Sequence, residues 1–488
     1  MNRTVLAAAA LAAAGCSFAP RYQRPDAGVP AEFRLAKPGE ATSIADLPWW
    51  QVFKDPALQG LIREALAANQ DLAVATARVA EARALVGVAR ADLFPQISAQ
   101  AAAGYGQPVS DSAAESLGQR EARARYALDA GLSWELDLWG RVRNGRDAAI
   151  ADLLATEGGR HAVVLSLVSG VAQAYLELRA LDLELEIARS NTETRKGTLQ
   201  LFEARAKGGV ASDLEVNQAR ADLAVTQAAI PDTEMRIWRK EHELCVLLGR
   251  APGAIPRGAA LVETPLVPEL PSGVPAALLQ RRPDVLAAEQ GVVAAGKRVG
   301  VAVANRLPAL SLSGFIGLQA RSAADVFDPA SVAWNTGGSL LAPIFQGGRL
   351  KAEEKAARAR LEASVASYRR AVEEALREVA DASAGVTKLR DVRSARQTQV
   401  TATTQAAKLA MARYQGGVSS YLEVLDAQRQ QFDAQLALAN AARDELTSMV
   451  LLYRALGGGW QQQEAAEPAR AEPAQPAPAP PPAKTPAR

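Results

Sequence analysis

Few residues in this chain could do chemistry, and they do not form a catalytic or metal-binding pattern. The sequence has two histidines, His161 and His242, and two cysteines, Cys16 and Cys245. Neither pair predicts a metal site, because such sites need clusters of these ligands. Each histidine lies in a helical pattern, and Cys245 lies in the apolar run over residues 244–248, so structural roles are expected. Nucleophile elbows, phosphate loops and paired acid motifs are also missing from the sequence, so an enzyme is not expected.

Cys16 lies where lipid attachment is expected. Arg3 precedes an apolar stretch over residues 5–14 that is too short to span a bilayer and is typical of an export signal. The small residues directly before Cys16 look like the lipobox of bacterial lipoproteins, although Ala13 stands where leucine is usual. We therefore predict a signal peptide over residues 1–15 and an acylated Cys16. The alternative is an ordinary cleavage site beside an unmodified cysteine.

Beyond the signal, the chain is rich in alanine and has no long apolar segment. It contains 488 residues, of which 49% are hydrophobic but only 5% are aromatic. This composition favours long, closely packed helices over one thick core. Since no later run of 18 apolar residues occurs, a membrane crossing would have to use strands. Ser17 follows Cys16, as in lipoproteins sorted to the outer membrane. The net charge of +2 gives no reason to expect a nucleic-acid partner.

Four segments alternate apolar and polar residues as barrel strands do. In residues 126–139 the alternation continues for 13 residues, longer than most strands of soluble proteins. Residues 97–105 alternate before it, and residues 310–319 and 332–340 form a second pair. Four strands cannot close a barrel, and an open sheet edge is not tolerated in lipid. We therefore expect three copies to supply 12 strands in a cyclic assembly.

Two stretches predict helices far longer than those of a globular domain. Residues 141–207 contain no proline, and a helix of about 65 residues would be about 100 Å long. Residues 350–415 have apolar residues at alternating spacings of four and three, which is the seam of a coiled coil. The seam residues are Leu361, Val365, Tyr368, Val372, Ala375, Val379, Ala382, Val386 and Leu389. Together with barrel strands, these helices predict a helical tube that continues the barrel.

The sequence is internally duplicated. Residues 205–216 and 413–424 match at eight of twelve positions with an offset of 208. Residues 71–95 match residues 284–308 with an offset of 213. Two unrelated helical hairpins are the alternative, but the number of matches argues against it. Each half therefore runs through a helix, two strands, a long helix, a turn and a returning helix.

The expected organisation follows this duplication. Its segments are a signal peptide (1–15), a lipidated N-terminal segment (16–56), helices of the first repeat (57–92), a first barrel strand pair (93–140), a first long helical hairpin (141–250), an equatorial linker (251–282), a helix of the second repeat (283–306), a second barrel strand pair (307–345), a second long helical hairpin (346–460) and a Pro/Ala-rich tail (461–488) that is expected to be disordered.

Several motifs resemble the TolC-like outer membrane factors, specifically the lipoprotein branch of multidrug and metal efflux. The resemblance covers about residues 16–460. The motifs that carry it are Leu47-Pro48-Trp49-Trp50, Trp134-Glu135-Leu136-Asp137-Leu138-Trp139-Gly140-Arg141, Leu270-Pro271-Ser272-Gly273-Val274-Pro275, Arg281-Arg282-Pro283-Asp284, Pro343-Ile344-Phe345 with Gly347-Gly348-Arg349, and Leu425-Asp426-Ala427-Gln428.

The resemblance implies a fold and a function. We expect a mixed α and β membrane protein: a homotrimer with a 12-stranded β-barrel in the outer membrane and a long periplasmic α-helical barrel. Its helical tips would meet a periplasmic adaptor protein coupled to an inner-membrane pump. The protein would then be a lipid-anchored exit duct for drugs, toxic compounds or metals in a Gram-negative outer membrane, with no cofactor besides covalent lipid on Cys16. The alternatives are a duct for secreted polypeptides and, in a different class, a structural trimeric coiled-coil lipoprotein.

A channel gate is predicted just past the second tip. Leu422 and Asp426 are four residues apart and share a helix face. The resemblance implies the pore constriction at these two positions, with Tyr421 beside them. In a trimer this face would present a ring of leucines, which dewets, and a ring of carboxylates, which favours cations. The alternative is that Leu422 packs in the coiled coil and Asp426 is a solvated charge. Gln415 and Ser419 stand where some members of the family have charged residues, so no ionic latch is expected there.

The turn residues of both tips are candidate contacts for the adaptor. They are Gly208, Gly209, Val210, Ser212, Gly416, Gly417, Val418 and Ser420. A purely local role in the turns is the alternative, since a glycine pair ends a helix and a serine caps the next one.

Overall fold

A computed structural model describes residues 17–30, 47–106, 123–261, 278–458 and 460. Its elements, in chain order, are α1 (Trp49–Val52), α2 (Pro56–Ala68), α3 (Gln70–Ala91), β1 (Gln96–Gly106), β2 (Arg123–Leu136), α4 (Arg141–Lys207), α5 (Asp213–Leu247), α6 (Leu278–Arg281), α7 (Pro283–Ala304), β3 (Ala309–Ala320), a 3-10 turn (Pro329–Ser331), β4 (Val332–Leu341), α8 (Arg349–Gln415) and α9 (Tyr421–Ala455). The predicted signal peptide, Cys16, much of the linker and the Pro/Ala-rich tail lie outside the described residues.

The four strands form one antiparallel sheet in the order β1-β2-β3-β4. β1 and β2 form one hairpin, β3 and β4 form another, and β2 pairs with β3 between them. The sheet therefore has two edges, β1 and β4. Such edges present unpaired backbone N–H and C=O groups.

β2 lies three residues earlier than the alternating segment 126–139. The strand ends at Leu136, and the chain then turns into α4. One Asp137 carboxylate oxygen accepts hydrogen bonds from the backbone N–H of Arg143 (2.8 Å) and from its guanidinium (3.1 Å). Residues 137–139 thus belong to the strand–helix turn, because Asp137 satisfies a backbone donor at the start of the helix.

The two long helices have the same length and begin in the same way. α4 and α8 each contain 67 residues, which corresponds to about 100 Å. Each follows a glycine in the left-handed region, Gly140 (φ 76°) before α4 and Gly348 (φ 83°) before α8. That conformation suits glycine because it has no Cβ.

The largest hydrophobic cluster surrounds the middle of α4, where α2, α5 and α9 pack against it. Tyr175 lies in this cluster and is 1% exposed. Its hydroxyl donates to Asp55 (2.9 Å) and accepts from the backbone N–H of Gly258 (2.8 Å). A Cβ at Gly258 would lie 2.2 Å from an Asp55 oxygen, so this contact requires glycine. The N-terminal segment and the linker are thereby fixed to α4.

The first part of the predicted coiled-coil seam of α8 faces α7, whereas Val379 and Ala382 further along belong to the largest cluster. Tyr368, Val372 and Ala375 pack with Val285 and Val292 of α7 in a second cluster. This part of the seam is therefore covered by a short helix of the same half of the duplication.

The side chains that could do chemistry are packed against other parts of the protein. Cys245 is a free, fully buried thiol, and the His161 ring stacks on Trp460 with 4.5 Å between centroids. Among the described residues, one helix, α4, contains a window long and apolar enough to cross a bilayer, but 61% of that window is buried inside the protein. A core helix has the same character.

Candidate functional site at the helical tips

Both tips use the same turn to end the long helix. Gly209 (φ 73°) and Gly417 (φ 74°) adopt left-handed conformations. The next residue closes the turn: Val210 N–H donates to Arg205 O (2.9 Å), and Val418 N–H donates to Arg413 O (3.0 Å). These bonds define the Schellman motif. Both valines are 67% exposed, so each tip presents an apolar side chain on a well-defined turn.

The returning helices are capped differently, which corrects one expectation. Ser212 forms a full capping box, in which its hydroxyl accepts from Glu215 N–H (3.3 Å) and its N–H donates to the Glu215 carboxylate (2.8 Å). Ser420 occupies the same position but its side chain makes no capping hydrogen bond. Glu423, the equivalent of Glu215, instead forms an ion pair with Arg413 across the turn at 3.3 Å. The expected serine side-chain cap is therefore wrong for the second tip, and the reciprocal bond from Glu423 is absent as well.

An aromatic cluster joins the two tips. Phe202 of α4 lies 5.5 Å from Tyr414 and 4.3 Å from Tyr421, measured between ring centroids. The Tyr414 hydroxyl also donates to the Glu215 carboxylate at 3.1 Å. The backbone N–H of Ser212 and the Tyr414 hydroxyl both lower the pKa of Glu215, with the backbone bond contributing most. One carboxylate thus caps the first tip and binds the second.

The three predicted gate residues lie in two different environments. Leu422 is 63% exposed, and Asp426, also exposed, lies one turn further along α9 and accepts a hydrogen bond from Gln430 (2.7 Å). Tyr421 is only 3% exposed and packs in the aromatic cluster. Burial raises the pKa of Tyr421 to about 12, and the nearby Asp222 carboxylate acts in the same direction. Leu422 and Asp426 share the exposed face of α9, while Tyr421 lies on the opposite, buried face and packs α9 against the aromatic cluster.

A buried charged cluster lies above the gate. Arg195 of α4 and Asp222 of α5 approach within 3.1 Å with side chains 3% and 2% exposed. The contact is an ion pair without hydrogen-bond alignment, and Arg195 also donates to the Asp222 backbone carbonyl (3.0 Å). Arg429 of α9 approaches the same carboxylate at 3.4 Å. Burial lowers the pKa of Arg195, while Asp222 opposes that shift. The gate-bearing helix is thereby tied to the first hairpin.

Sequence reasoning missed this cluster. A signal was present, because Asp222 falls between Ala219 and Thr226 on the buried stripe of α5, where a charge is rare unless it is paired. The partner could not be predicted from spacing, because Arg195 and Arg429 come from two other helices.

The start of the described chain lies near the base of the sheet. The Ser17 hydroxyl donates to Asn144 in the first turn of α4 (3.1 Å), and Phe18 lies 6.3 Å from Trp139. Further along, Arg24 forms a bidentate contact with Glu289 of α7 (2.9 and 3.0 Å). The N-terminal segment therefore runs along the helices from the strand–helix junction. Among the described residues, no group of three His, Cys, Asp or Glu side chains could hold a metal ion.

Among the described residues, a four-stranded sheet has two edges without a strand partner, and helices of about 100 Å continue it, an arrangement expected of a channel-forming outer-membrane protein. The outer membrane efflux protein family matches residues 61–250 and 274–458, and the chain belongs to that family. It is 34% identical to the cation efflux system protein CusC of Escherichia coli O6:H1, over 93% of this chain and 98% of that protein. It is also 34% identical to the probable efflux pump outer membrane protein TtgC of Pseudomonas putida, over 94% and 96%.

Solved structures agree with this assignment. The outer-membrane channel OprN superposes with a TM-score of 0.85 at 34% identity, covering 91% of this chain and all of that one. The predicted family and mixed α and β channel fold are thereby confirmed. The protein is an efflux channel of the Gram-negative outer membrane that extends into the periplasm, and it is not an enzyme.

Proposed function

We propose that this protein is the homotrimeric, lipid-anchored exit duct of a tripartite efflux system. Its tips bind a periplasmic adaptor coupled to an inner-membrane pump, and its pore closes at Leu422 and Asp426. The observation that carries this proposal is the uncovered face of α9, where a leucine that is 63% exposed and a carboxylate follow each other one turn apart.

The open sheet supports the homotrimer. In the part of the chain that the structure describes, β1 and β4 each have one edge without a strand partner. Unpaired backbone groups cost several kcal/mol each in lipid, so neighbouring copies must cover both edges. Three copies close the sheet as a 12-stranded barrel.

The gate acts through two successive rings. Three Leu422 side chains form an apolar constriction that excludes water and ions, and three Asp426 carboxylates one turn away attract cations. Like charges in such a ring repel each other. The closed state is therefore held by contacts behind the ring, including the burial of Tyr421.

Single-channel recording tests the gate. We expect the double substitution Leu422→Ser and Asp426→Ala to raise the conductance of the purified trimer in a planar bilayer. The matched control is Leu214→Ser with Gln218→Ala at the equivalent positions of the first half, where Leu214 is 66% exposed. Unchanged conductance in the gate variant, or an equal rise in both, would contradict the gate.

The turns support an adaptor-binding role for the tips. Val210 and Val418 are exposed apolar residues on turns with the same hydrogen bonds, and exposed apolar residues on fixed backbone are suited to protein contacts. We expect cysteines at these two positions, in a Cys245→Ala background, to crosslink the adaptor in cells. A cysteine at Lys388, which is 76% exposed on α8, is the control. Crosslinking from Lys388 but from neither tip would leave the turns with a local role only.

Lipid at Cys16 is supported by the position of its neighbour. Ser17 contacts the first turn of α4, directly after a strand of the sheet. An acyl chain at the preceding residue would therefore lie near the membrane surface, where each buried CH₂ stabilises attachment by about 0.8 kcal/mol. Mass spectrometry of the mature N-terminal peptide should find diacylglycerol and N-acyl groups on Cys16. An unmodified mature N-terminus would indicate the ordinary cleavage site.

A further inference from the structure

A groove lies between the long helix α8 and the last turns of the returning helix α9. It has a volume of about 490 Å³. Its apolar floor is formed by Ala382, Gly385, Leu389, Leu451 and Ala455. The two helices approach closely at Gly385, where a Cβ would lie 3.4 Å from the Ser448 Cβ. The groove therefore has the size and the apolar floor of a small-molecule site.

The groove lies on the face of α9 that carries the gate residues. Leu451 is 29 residues beyond Leu422, which is about eight helical turns, so the two leucines point in nearly the same direction. Tyr453 follows two residues later and lies on the opposite side of α9. There its hydroxyl donates to the Leu47 carbonyl (2.9 Å), and its ring lies 6.0 Å from that of Phe53. The groove therefore faces away from the N-terminal segment.

The orientation of α8 is the same. The Arg369 guanidinium donates to the Asp26 carbonyl (3.1 Å), so this side of α8 contacts the N-terminal segment. Gly385 and Leu389 follow 16 and 20 residues later, and each is close to half a turn out of phase with Arg369. Both helices thus turn the groove away from the N-terminal segment, so that in the proposed channel it opens into the lumen.

Carboxylates outnumber guanidinium groups at the rim of the groove. The rim has Glu378, Asp381 and Asp444 against Arg377 and Arg454. Arg377 binds Asp381 (2.8 Å), and Arg454 approaches Glu378 (3.9 Å), so both cations already face acidic partners. One oxygen each of Asp381 and Asp444 makes no hydrogen bond with the described residues, and these side chains are 66% and 44% exposed. The rim therefore attracts a further cation.

Asp444 also continues a line of carboxylates that begins at the gate. Asp426, Asp433 and Asp444 are separated by 7 and 11 residues, about two and three helical turns, so they share one face of α9. Arg429 lies beside this line but approaches the buried Asp222 carboxylate at 3.4 Å. A cation that has passed the gate would therefore meet acidic side chains of α9 up to the groove.

We propose that this groove is a resting site for exported organic cations that have an apolar body. The apolar body contacts Leu389 and Leu451, and the positive group lies beside Asp381 or Asp444. The site binds weakly, because a duct must release its cargo as readily as it takes it up. The inference rests on the gate proposed above, which identifies the lumen side of α9, and it adds a class of cargo.

Cysteine labelling tests whether the groove opens into the lumen. Leu451→Cys places a thiol in the groove. Thr387→Cys is the matched control, because Thr387 is exposed and lies 18 residues, about five turns, from Arg369 on the outward side of α8. Both variants are full-length protein with Cys245→Ala. We expect a small maleimide to label both trimers, and a maleimide on a large dextran to label Thr387→Cys alone.

Equal dextran labelling of the two cysteines would overturn the lumen position of the groove. Protein that runs as a monomer on a native gel would overturn the proposed homotrimer instead. The gate has its own test in the conductance of the Leu422 and Asp426 variant, so its failure is distinguishable from a failure of the groove.

Saturation-transfer NMR on trimers in nanodiscs tests the class of ligand. The probes are benzyltriethylammonium, tetraethylammonium, which lacks the aromatic group, and benzenesulfonate, which has the opposite charge. We expect benzyltriethylammonium to bind, and the other two to bind about tenfold more weakly. Equal binding of benzenesulfonate would overturn the preference for cations, and equal binding of tetraethylammonium would overturn the contact with an apolar body.

Substitutions locate the bound probe. We expect Asp381→Asn with Asp444→Asn to weaken the binding of benzyltriethylammonium about tenfold, and Gly385→Leu to fill the groove and abolish binding. The controls are Asp433→Asn, an exposed carboxylate outside the groove, and Gly197→Leu, at a helical glycine with open space around the position of its Cβ. Unchanged binding in Gly385→Leu, or the same losses in the controls, would overturn the site.

Discussion

The two hairpin tips have nearly the same sequence but are stabilised by different contacts. The first tip has its own capping box, formed by Ser212 and Glu215. The second tip has no serine side-chain cap and relies on Tyr414, which binds Glu215, and on Tyr421, which packs on Phe202 of the first hairpin. The hairpin that carries Leu422 and Asp426 therefore depends on the first hairpin.

The largest expected effect comes from the buried ion pair that ties the hairpins together. Asp222→Asn leaves Arg195 buried beside a neutral partner, and we expect a loss of about 3–5 kcal/mol in unfolding free energy. Denaturant unfolding in detergent, followed by circular dichroism, measures the loss. Asp426→Asn is the exposed control, with a change within about 0.5 kcal/mol. The double substitution Arg195→Met and Asp222→Leu should recover most of the stability, and a double variant as unstable as Asp222→Asn would mean that the charge itself is needed.

Removing the hydrogen bond between the tips should affect the channel more than the fold. Tyr414→Phe removes a hydroxyl that donates to the Glu215 carboxylate, and a hydrogen bond to a charged group contributes about 1.5–3 kcal/mol. We expect the open fraction in planar bilayer recordings to rise. Tyr22→Phe is the control, because it removes a similar bond to Glu289 far from the tips. Equal behaviour of the two variants would show that the tip bond does not hold the closed state.

The serine positions separate the two tips directly. Ser212→Ala removes a hydroxyl that caps α5, and we expect a cost of about 1 kcal/mol. Ser420→Ala should cost no more than a few tenths of a kcal/mol, because its side chain makes no capping bond. Hydrogen exchange of the first turn of each returning helix measures both effects. Similar costs at the two serines would remove the distinction between the tips.

Acid should weaken the link between the tips through Glu215. The pKa of this carboxyl is held below its ordinary value of 4.5, so its contribution is fully present above that pH and is lost as the pH falls through the folded-state value. The open fractions of wild type and Tyr414→Phe should therefore differ at neutral pH and converge in acid. A difference that persists below this range would point to a neutral hydrogen bond instead.

Much of the fold was predictable because its signals are local. The ends of α4 and α8 follow from Gly140, Gly348 and the tip glycines, whose left-handed conformations stop or start a helix. Strand positions follow from alternation, although β2 ends earlier because Asp137 binds the start of α4. The gate residues were predicted from spacing together with a resemblance, but the burial of Tyr421 was not. The different burial of Tyr421 depends on Phe202, a residue more than 200 positions away.

The sequence by itself determined the lengths of the helices and the alternation of the strands, because each depends on residues near one another in the chain, and it determined the internal duplication, because that is read by comparing the sequence with itself. Only the tertiary structure decided that β2 pairs with β3, that Asp222 forms ion pairs with Arg195 and Arg429, and that the Glu215 carboxylate accepts a hydrogen bond from Tyr414. These contacts join elements far apart in sequence. Their partners are selected by packing between helices and strands, which local periodicity does not encode.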